Sequence, residues 1–199
     1  MVDIRSRGRL PHWEEKSAIY FVTFRLADSI PQQALRQIEL EREDIVRTPE
    51  AAGRRMSPSE QDRLAVLHSE KIEAFLDAGA GACSLANPKV ARLVVNSIRH
   101  FSRIRYRIFA WCVMPNHVHV VFRPTANNGL AEILHSWKSY SSRLANEILM
   151  RSGVFWAREY YDHLVRDEND LRRVVHYVLE NPSKAGLKDW PWVGTGFER

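Results

Sequence analysis

The sequence predicts an α+β domain: a ferredoxin-like antiparallel sheet with helices packed on one face, plus a helical insertion between the first and second strands. Three observations carry this. β-branched and aromatic runs at 18–26, 104–113, 117–122 and 152–166 have the length and composition of strands. Apolar residues at three- and four-residue spacing fill most of what lies between, giving the order strand, helices, strand, strand, helix, strand, helix. With 45% hydrophobic residues over 199 positions, the chain can bury one good core, so 1–199 reads as a single domain with 31–101 as an enlarged helical connection.

Residues 1–16 read as a basic, irregular arm holding Arg5, Arg7 and Arg9. The first strand, 18–26, ends at a polar Ala-Asp-Ser-Ile-Pro turn. From Pro31 a mostly solvated helix with Leu35, Ile38, Ile45 and Val46 runs to the Thr48-Pro49 to Gly53 stretch. Ser57, Pro58 and Glu60 form a helix start, in which the serine caps and the glutamate reaches back. The stripe Leu64, Leu67, Ile72, Phe75 and Leu76 follows, until Gly79-Ala80-Gly81 breaks it. Asn87-Pro88 then opens a helix with Val90, Val94, Ile98 and Phe101 on one side.

Residues 104–113 alternate at first and then become wholly apolar, as a central strand would. A Met114-Pro115-Asn116 turn returns the chain as an antiparallel partner. Leu130, Ile133, Leu134, Trp137, Tyr140, Leu144 and Ile148 then form one amphipathic stripe, which makes Tyr140 a core residue. Its other face shows Lys138, Ser139, Ser142 and Arg143. Asp167 caps the last helix, whose stripe is Leu171, Val174, Val175, Val178 and Leu179, and Pro182 ends it.

The charge balance, 29 basic against 24 acidic residues for a net +5, favours a polyanionic partner without specifying one. The two cysteines, Cys83 and Cys112, lie far apart with no C-x-x-C spacing. That excludes a disulfide framework and a structural zinc site, and fits a reducing, cytoplasmic setting. No apolar run approaches the roughly 20 residues needed to cross a bilayer, so the sequence reads as neither exported nor membrane-embedded.

The chemistry is expected at His117-Val118-His119. Alternation along a strand puts both imidazoles on one face, with Val118, Val120 and Phe122 on the other, and two imidazoles on one face can share a metal ion. On the last helix Tyr177 and Asn181 are four residues apart and lie one above the other, at the polar edge of the core stripe. Asn181 precedes a proline, which frees its amide at a frayed last turn. Two histidines and an amide oxygen would make a three-ligand divalent site with open positions, beside which a tyrosine becomes a nucleophile. A packed or surface histidine pair and a structural tyrosine satisfy the same pattern.

Met114-Pro115-Asn116-His117-Val118-His119-Val120 resembles the histidine-hydrophobic-histidine signature of the single-tyrosine (HUH, IS200-like) transposases. Tyr177-Val-Leu-Glu-Asn181-Pro-Ser-Lys184 resembles the tyrosine helix of their REP-associated branch. Gly8 to Trp13, Tyr20 to Leu26, Trp137 to Tyr140 and Asp162 to Asp167 are similar to that branch in the same order. The segment 31–101 matches least. Asp189-Trp-Pro-Trp-Val-Gly-Thr195 keeps a Trp-Pro-Trp element but lacks a following Ser-Ser pair.

The resemblance implies that His117, His119 and Asn181 bind a divalent cation, Mg²⁺ or Mn²⁺, and that Tyr177 is the nucleophile. The reaction it implies is cleavage of single-stranded DNA beside a REP-type hairpin through a 5′-phosphotyrosine link, which a 3′-hydroxyl reverses to join strands. It implies a monomer or homodimer, cytoplasmic and associated with a bacterial nucleoid. Arg5, Arg7, Arg9, Lys138, Arg143 and Lys184 are the candidates for phosphate contacts, each equally readable as a solvated charge. A domesticated protein of the same fold that binds nucleic acid without cleaving it is the alternative.

Overall fold

The computed structural model describes residues 3–6, 11–14, 18–54, 56–57, 59–60, 63 and 71–196. Its elements are β1 (Asp3–Ser6), β2 (Pro11–Glu14), β3 (Ile19–Leu26), α1 (Gln32–Ala51), α2 (Glu73–Asp77), α3 (Pro88–His100), β4 (Tyr106–Val113), β5 (His117–Pro124), α4 (Leu130–Ile148), β6 (Trp156–Val165), α5 (Glu168–Lys184) and β7 (Val193–Thr195). They fall into two compact units. One holds the chain up to Ala27 and from Cys83 onward, and the other holds 28–82. The helical connection expected over 31–101 is thus divided, because α3 belongs with the sheet.

The sheet has five strands in the order β6-β3-β5-β4-β7, each antiparallel to its neighbours. Without β7, this is the split β-α-β arrangement the sequence predicts: β3 leads through α3 to β4, the hairpin returns as β5, and α4 leads to β6 beside β3. On one face Tyr20, Val22, Phe24, Val118, Val120 and Phe122 meet α3 through Val90, Val94 and Ile98, and α4 through Ile133, Leu134 and Trp137. Two large aromatic side chains in that core satisfy their polar atoms by hydrogen bonding. The Trp137 indole N–H donates to Tyr106 Oη at 2.7 Å, and the Tyr106 hydroxyl donates to the Ile98 carbonyl at 2.9 Å.

The expectation of helices on one face only is corrected. α5 packs Val174 and Val178 against the opposite face, over Phe21, Ala110, Cys112, Met114 and Val121. The cause lies in the central strands. β5 is buried continuously from His117 to Phe122, so both faces of the sheet need covering, which a strand with one wetted face would not.

Local expectations fare unevenly. Asn87 caps α3 through Lys89 N–H at 2.9 Å, and Asp167 caps α5 through Asp170 N–H at 2.9 Å. Pro182 does not end α5, which continues to Lys184; proline removes a single N–H from the ladder, and here its ring is buried. Pro49 likewise lies inside α1. Tyr140 is 50% exposed rather than in the core, because the buried stripe of α4 runs through Trp137, Ser141 and Ala145. The arm expected to be irregular contains an antiparallel pair, β1 with β2, in which Arg5 stands opposite His12.

In the second unit, Ile38 and Ile45 of α1 pack with Ile72 and Phe75. The Asp28 carboxylate accepts a bond from Ala82 N–H at 3.0 Å. Gly81 beside it has φ +89°, and a Cβ there would sit 2.6 Å from the Asp28 carbonyl oxygen, so this crossing requires glycine. Ser57 and Glu60 form the expected capping box, with Ser57 N–H donating to the carboxylate at 2.7 Å and Glu60 N–H donating to Ser57 Oγ at 3.3 Å. Pro58, Leu64 and Leu67 lie outside the described residues.

Candidate active site

The pleat of β5 turns His117 and His119 toward the α5 face, and both are fully buried. Their Nε2 atoms lie 2.9 Å apart. Each outer nitrogen is held. His117 Nδ1 is 2.7 Å from the amide oxygen of Asn116, which can only accept, so Nδ1 carries the proton and Nε2 the lone pair. His119 Nδ1 is 2.8 Å from the Thr23 hydroxyl, its cross-strand partner on β3. The hairpin turn is fixed by Met114 N–H on the His117 carbonyl at 2.9 Å and by Leu26 N–H on the Asn116 carbonyl at 2.9 Å.

That arrangement suits a cation. Burial pushes His117 down to about 3, so its imidazole stays neutral and its lone pair remains available at physiological pH. The Thr23 hydroxyl can donate or accept. Donating, it lets His119 Nε2–H bond to His117; accepting, it leaves both Nε2 lone pairs pointing into the same gap. At 2.9 Å apart, the two Nε2 atoms are close enough that one divalent ion would be held by both.

α5 lies directly over the pair. The Tyr177 ring meets His119 edge-on at 5.4 Å between centroids and Phe21 at 5.7 Å, while Phe21 stacks on His119 at 5.5 Å. The Tyr177 hydroxyl is shielded from solvent. Lys184, two turns on, places its ammonium 5.2 Å from the centre of the Tyr177 ring. Asn181 is buried, and its side-chain amide oxygen, Oδ1, has no hydrogen-bond partner among the described residues. A buried, unmatched amide oxygen on the helix face of Tyr177 is the kind of atom a hard cation satisfies. No cluster of three His, Cys, Asp or Glu side chains suited to a metal occurs among the described residues.

The register of α5 is set at its first turn. His163 on β6 lies 2.8 Å from the Asp170 carboxylate, which also accepts from Arg166 N–H at 3.1 Å and from Arg173. Burial pushes Asp170 up, yet the bonds from His163, Arg173 and the Arg166 backbone outweigh it and hold the carboxyl down at about 2.

The predicted phosphate contacts disperse. Arg5 lies on β1, and Arg7 and Arg9 fall outside the described residues. Lys138 donates to the carbonyls of Ala157 and Arg158, both at 2.8 Å, and burial pushes its ammonium down to about 8, so it ties α4 to β6 rather than presenting a free charge. Arg143 is exposed and paired with Glu147 at 3.0 Å. Of the three candidates whose side chains are described, Lys138, Arg143 and Lys184, only Lys184 stands at the site. Thr23, Asn116, Phe21 and the His163–Asp170 pair were not singled out from sequence, although Asn116 stood inside the motif.

Residues 89–181 match the family described as Transposase IS200 like; the segment contains His117, His119 and Tyr177 and ends on Asn181. An antiparallel sheet bearing a histidine pair beneath a tyrosine helix, with this match, makes the chain similar to the IS200-like transposases. Among them it resembles the REP-associated tyrosine transposases. It is 28% identical over 101 residues to a putative REP-associated tyrosine transposase of Haemophilus influenzae, over 44% of this chain and 57% of that one. It is 26% identical over 91 residues to the REP-associated tyrosine transposase of Escherichia coli, over 44% and 53%. The chain spans about half the length of these curated relatives. Its fold is that of a REP-associated tyrosine transposase solved bound to a REP hairpin, with a TM-score of 0.53 at 16% identity over 92% of this chain and 79% of that one. Among the described residues, no helix is long and apolar enough to cross a membrane.

Proposed function

We propose that this protein is a metal-dependent single-stranded DNA endonuclease and strand transferase, acting on DNA beside a hairpin through a 5′-phosphotyrosine intermediate. The observation that carries the reading is the histidine pair, Nε2 to Nε2 at 2.9 Å, lying under the Tyr177 ring on the face that α5 covers. His117, His119 and the Asn181 amide oxygen would hold Mg²⁺ or Mn²⁺. The mixed nitrogen and oxygen set suits Mn²⁺ at least as well as Mg²⁺. When bound, the ion supplies Lewis-acid polarisation of the scissile phosphate.

The chain's own groups do the rest. Tyr177 Oη attacks phosphorus; the new P–O bond forms as the bond to the 3′ oxygen breaks, and the phenolic proton ends on that leaving oxygen. The 5′ side stays on Tyr177, and a 3′-hydroxyl attacking the same phosphorus reverses the step and joins strands. A phenol with an ordinary value near 10 needs help to ionise. The Lys184 ammonium near the ring favours the phenolate, and Phe21 and His119 hold the ring in place.

The test mixes the protein with labelled hairpin DNA carrying a single-stranded flank, from the inverted repeats adjoining its gene, with Mn²⁺ or Mg²⁺. A denaturation-resistant protein–DNA adduct is expected for the wild type with metal, and for neither Tyr177→Phe nor His117→Ala. Cleavage that survives Tyr177→Phe refutes the nucleophile. Binding without cleavage by the wild type, with both metals, replaces the reading with that of a non-cleaving binder.

A further inference from the structure

Across the β4–β5 ladder Arg107 stands directly opposite Arg123. Like charges in that relation repel, and sheets ordinarily avoid them. Both side chains are exposed, and among the described residues neither makes an ion pair or a hydrogen bond. Among the described residues some exposed cations elsewhere are paired and others, such as Arg92, Arg103 and Lys188, are not, but Arg107 and Arg123 face each other across a ladder. Arg54 pairs with Glu60, Lys71 with Glu41, Arg143 with Glu147 and Arg172 with Glu168.

What the two arginines share is Phe109. The guanidinium of Arg107 lies 5.4 Å from the centre of that ring, and that of Arg123 lies 5.8 Å from it. The ladder is interrupted there. Ile108 pairs with Phe122 and Ala110 with Val121, so Phe109 is the extra residue of a β-bulge. Ile108 points into the α3–α4 core, whereas Phe109 joins Ala110 and Val121 in the cluster beneath α5. The bulge therefore puts an aromatic platform on the same face as both guanidinium groups, a re-aiming that bulges commonly perform near functional sites. It is also the face of the histidines. His119, Val121 and Arg123 alternate along β5, placing Arg123 about 13 Å from His119 at about 3.3 Å per residue.

From this geometry we infer that Arg107 and Arg123, seated on Phe109, form a phosphodiester-binding clamp for the single-stranded segment that continues from the scissile phosphate. Two planar, always-charged donors held side by side with no carboxylate between them fit a backbone phosphate. A strand whose phosphorus meets Tyr177 beside the histidines runs onto this face of the sheet. The clamp rests on the endonuclease reading above and adds where the flank is gripped.

The test measures binding, by fluorescence anisotropy across a salt series, of the same hairpin DNA with its flank intact or trimmed to the stem. Wild type is compared with the Arg107→Gln/Arg123→Gln double variant and with Arg107→Lys/Arg123→Lys. For flanked DNA the glutamine variant should bind roughly tenfold more weakly, and its log–log salt slope should fall by about 0.7 for each phosphate that is no longer neutralised. Trimmed DNA should bind both proteins alike, and the lysine variant should recover the salt slope. The melting temperature of the glutamine variant should equal or exceed that of wild type, since a repulsion has been removed. At saturating DNA its Tyr177 adduct should still form. Wild-type affinity and slope in the glutamine variant would overturn the clamp while leaving the endonuclease reading intact, and an equal weakening on trimmed DNA would move the grip to the stem and overturn it too. A wild-type protein that binds none of these DNAs would sink both.

Discussion

Replacing Thr23 by valine keeps the shape of a buried, β-branched strand residue and takes away one hydroxyl, the one 2.8 Å from His119 Nδ1. Packing on β3 is therefore nearly unchanged, and the loss is polar. Removing one partner of a buried hydrogen bond costs about 1–3 kcal/mol. For a chain of this size each kcal/mol is worth roughly 2–4 °C, so melting should fall by about 2–12 °C. The larger consequence is at the proposed metal site, because the hydroxyl holds the ring with Nε2 toward His117 and can accept from Nδ1–H, which leaves Nε2 free for an ion. Loss of such an outer partner typically weakens binding by about 10–100-fold. Isothermal titration with Mn²⁺ would measure it, with Thr23→Ser as the control that restores the oxygen. If Thr23→Val binds Mn²⁺ as tightly as wild type, Thr23 only packs, and the argument that it positions His119 is wrong.

Two further outcomes follow from the anchoring contacts. Asp170, held at about 2 in the folded chain against an ordinary 3.8, contributes stability that is full above about pH 4 and lost as the pH falls toward 2. Discounted for its contact with solvent, that contribution is about 1–2 kcal/mol, and Asp170→Asn should remove it, flattening the acid limb of a urea-denaturation series; an unchanged limb would refute the assignment. Lys138→Met should cost about 1–3 kcal/mol by leaving the Ala157 and Arg158 carbonyls without their donor, with no change in DNA affinity or salt slope. A fall in the slope would return Lys138 to the phosphate contacts.

What could be read from sequence was whatever depends on local period. The alternation of His117, Val118 and His119 decides which faces they take, and Asn87 and Asp167 announce their helix starts chemically. The pairing of Thr23 with His119 spans 96 positions and depends on strand register, which no local pattern encodes. The helix on the second face did leave a signal. The unbroken apolar run at 110–113 and the buried run at 117–122 have no wet side, and a sheet covered on one face could not have accommodated them. Tyr140 misled because its spacing fits the stripe, whereas small Ser141 and Ala145 are what let α4 approach the sheet. Ser141 is accommodated there by donating to the Trp137 carbonyl at 2.6 Å and accepting from the Trp156 indole at 2.9 Å. Phe109 lay inside a strand with nothing to mark it as the residue that the ladder leaves over.

The residues 28–82 leave and rejoin the chain almost at one point. Asp28 and Ala82, the first and last residues of that unit, are hydrogen-bonded to each other, with Gly81 pressed against the Asp28 carbonyl. To the sheet, the whole excursion is therefore equivalent to a tight turn between Ala27 and Cys83. Because loop-closure cost grows only logarithmically with length, and here the closure is made by the excursion's own ends, its size is nearly free to vary. The histidine pair and the tyrosine helix lie wholly outside it. A change in the length or composition of this segment leaves the strand register on which the candidate site depends untouched, because the ends that join it to the sheet stay where they are.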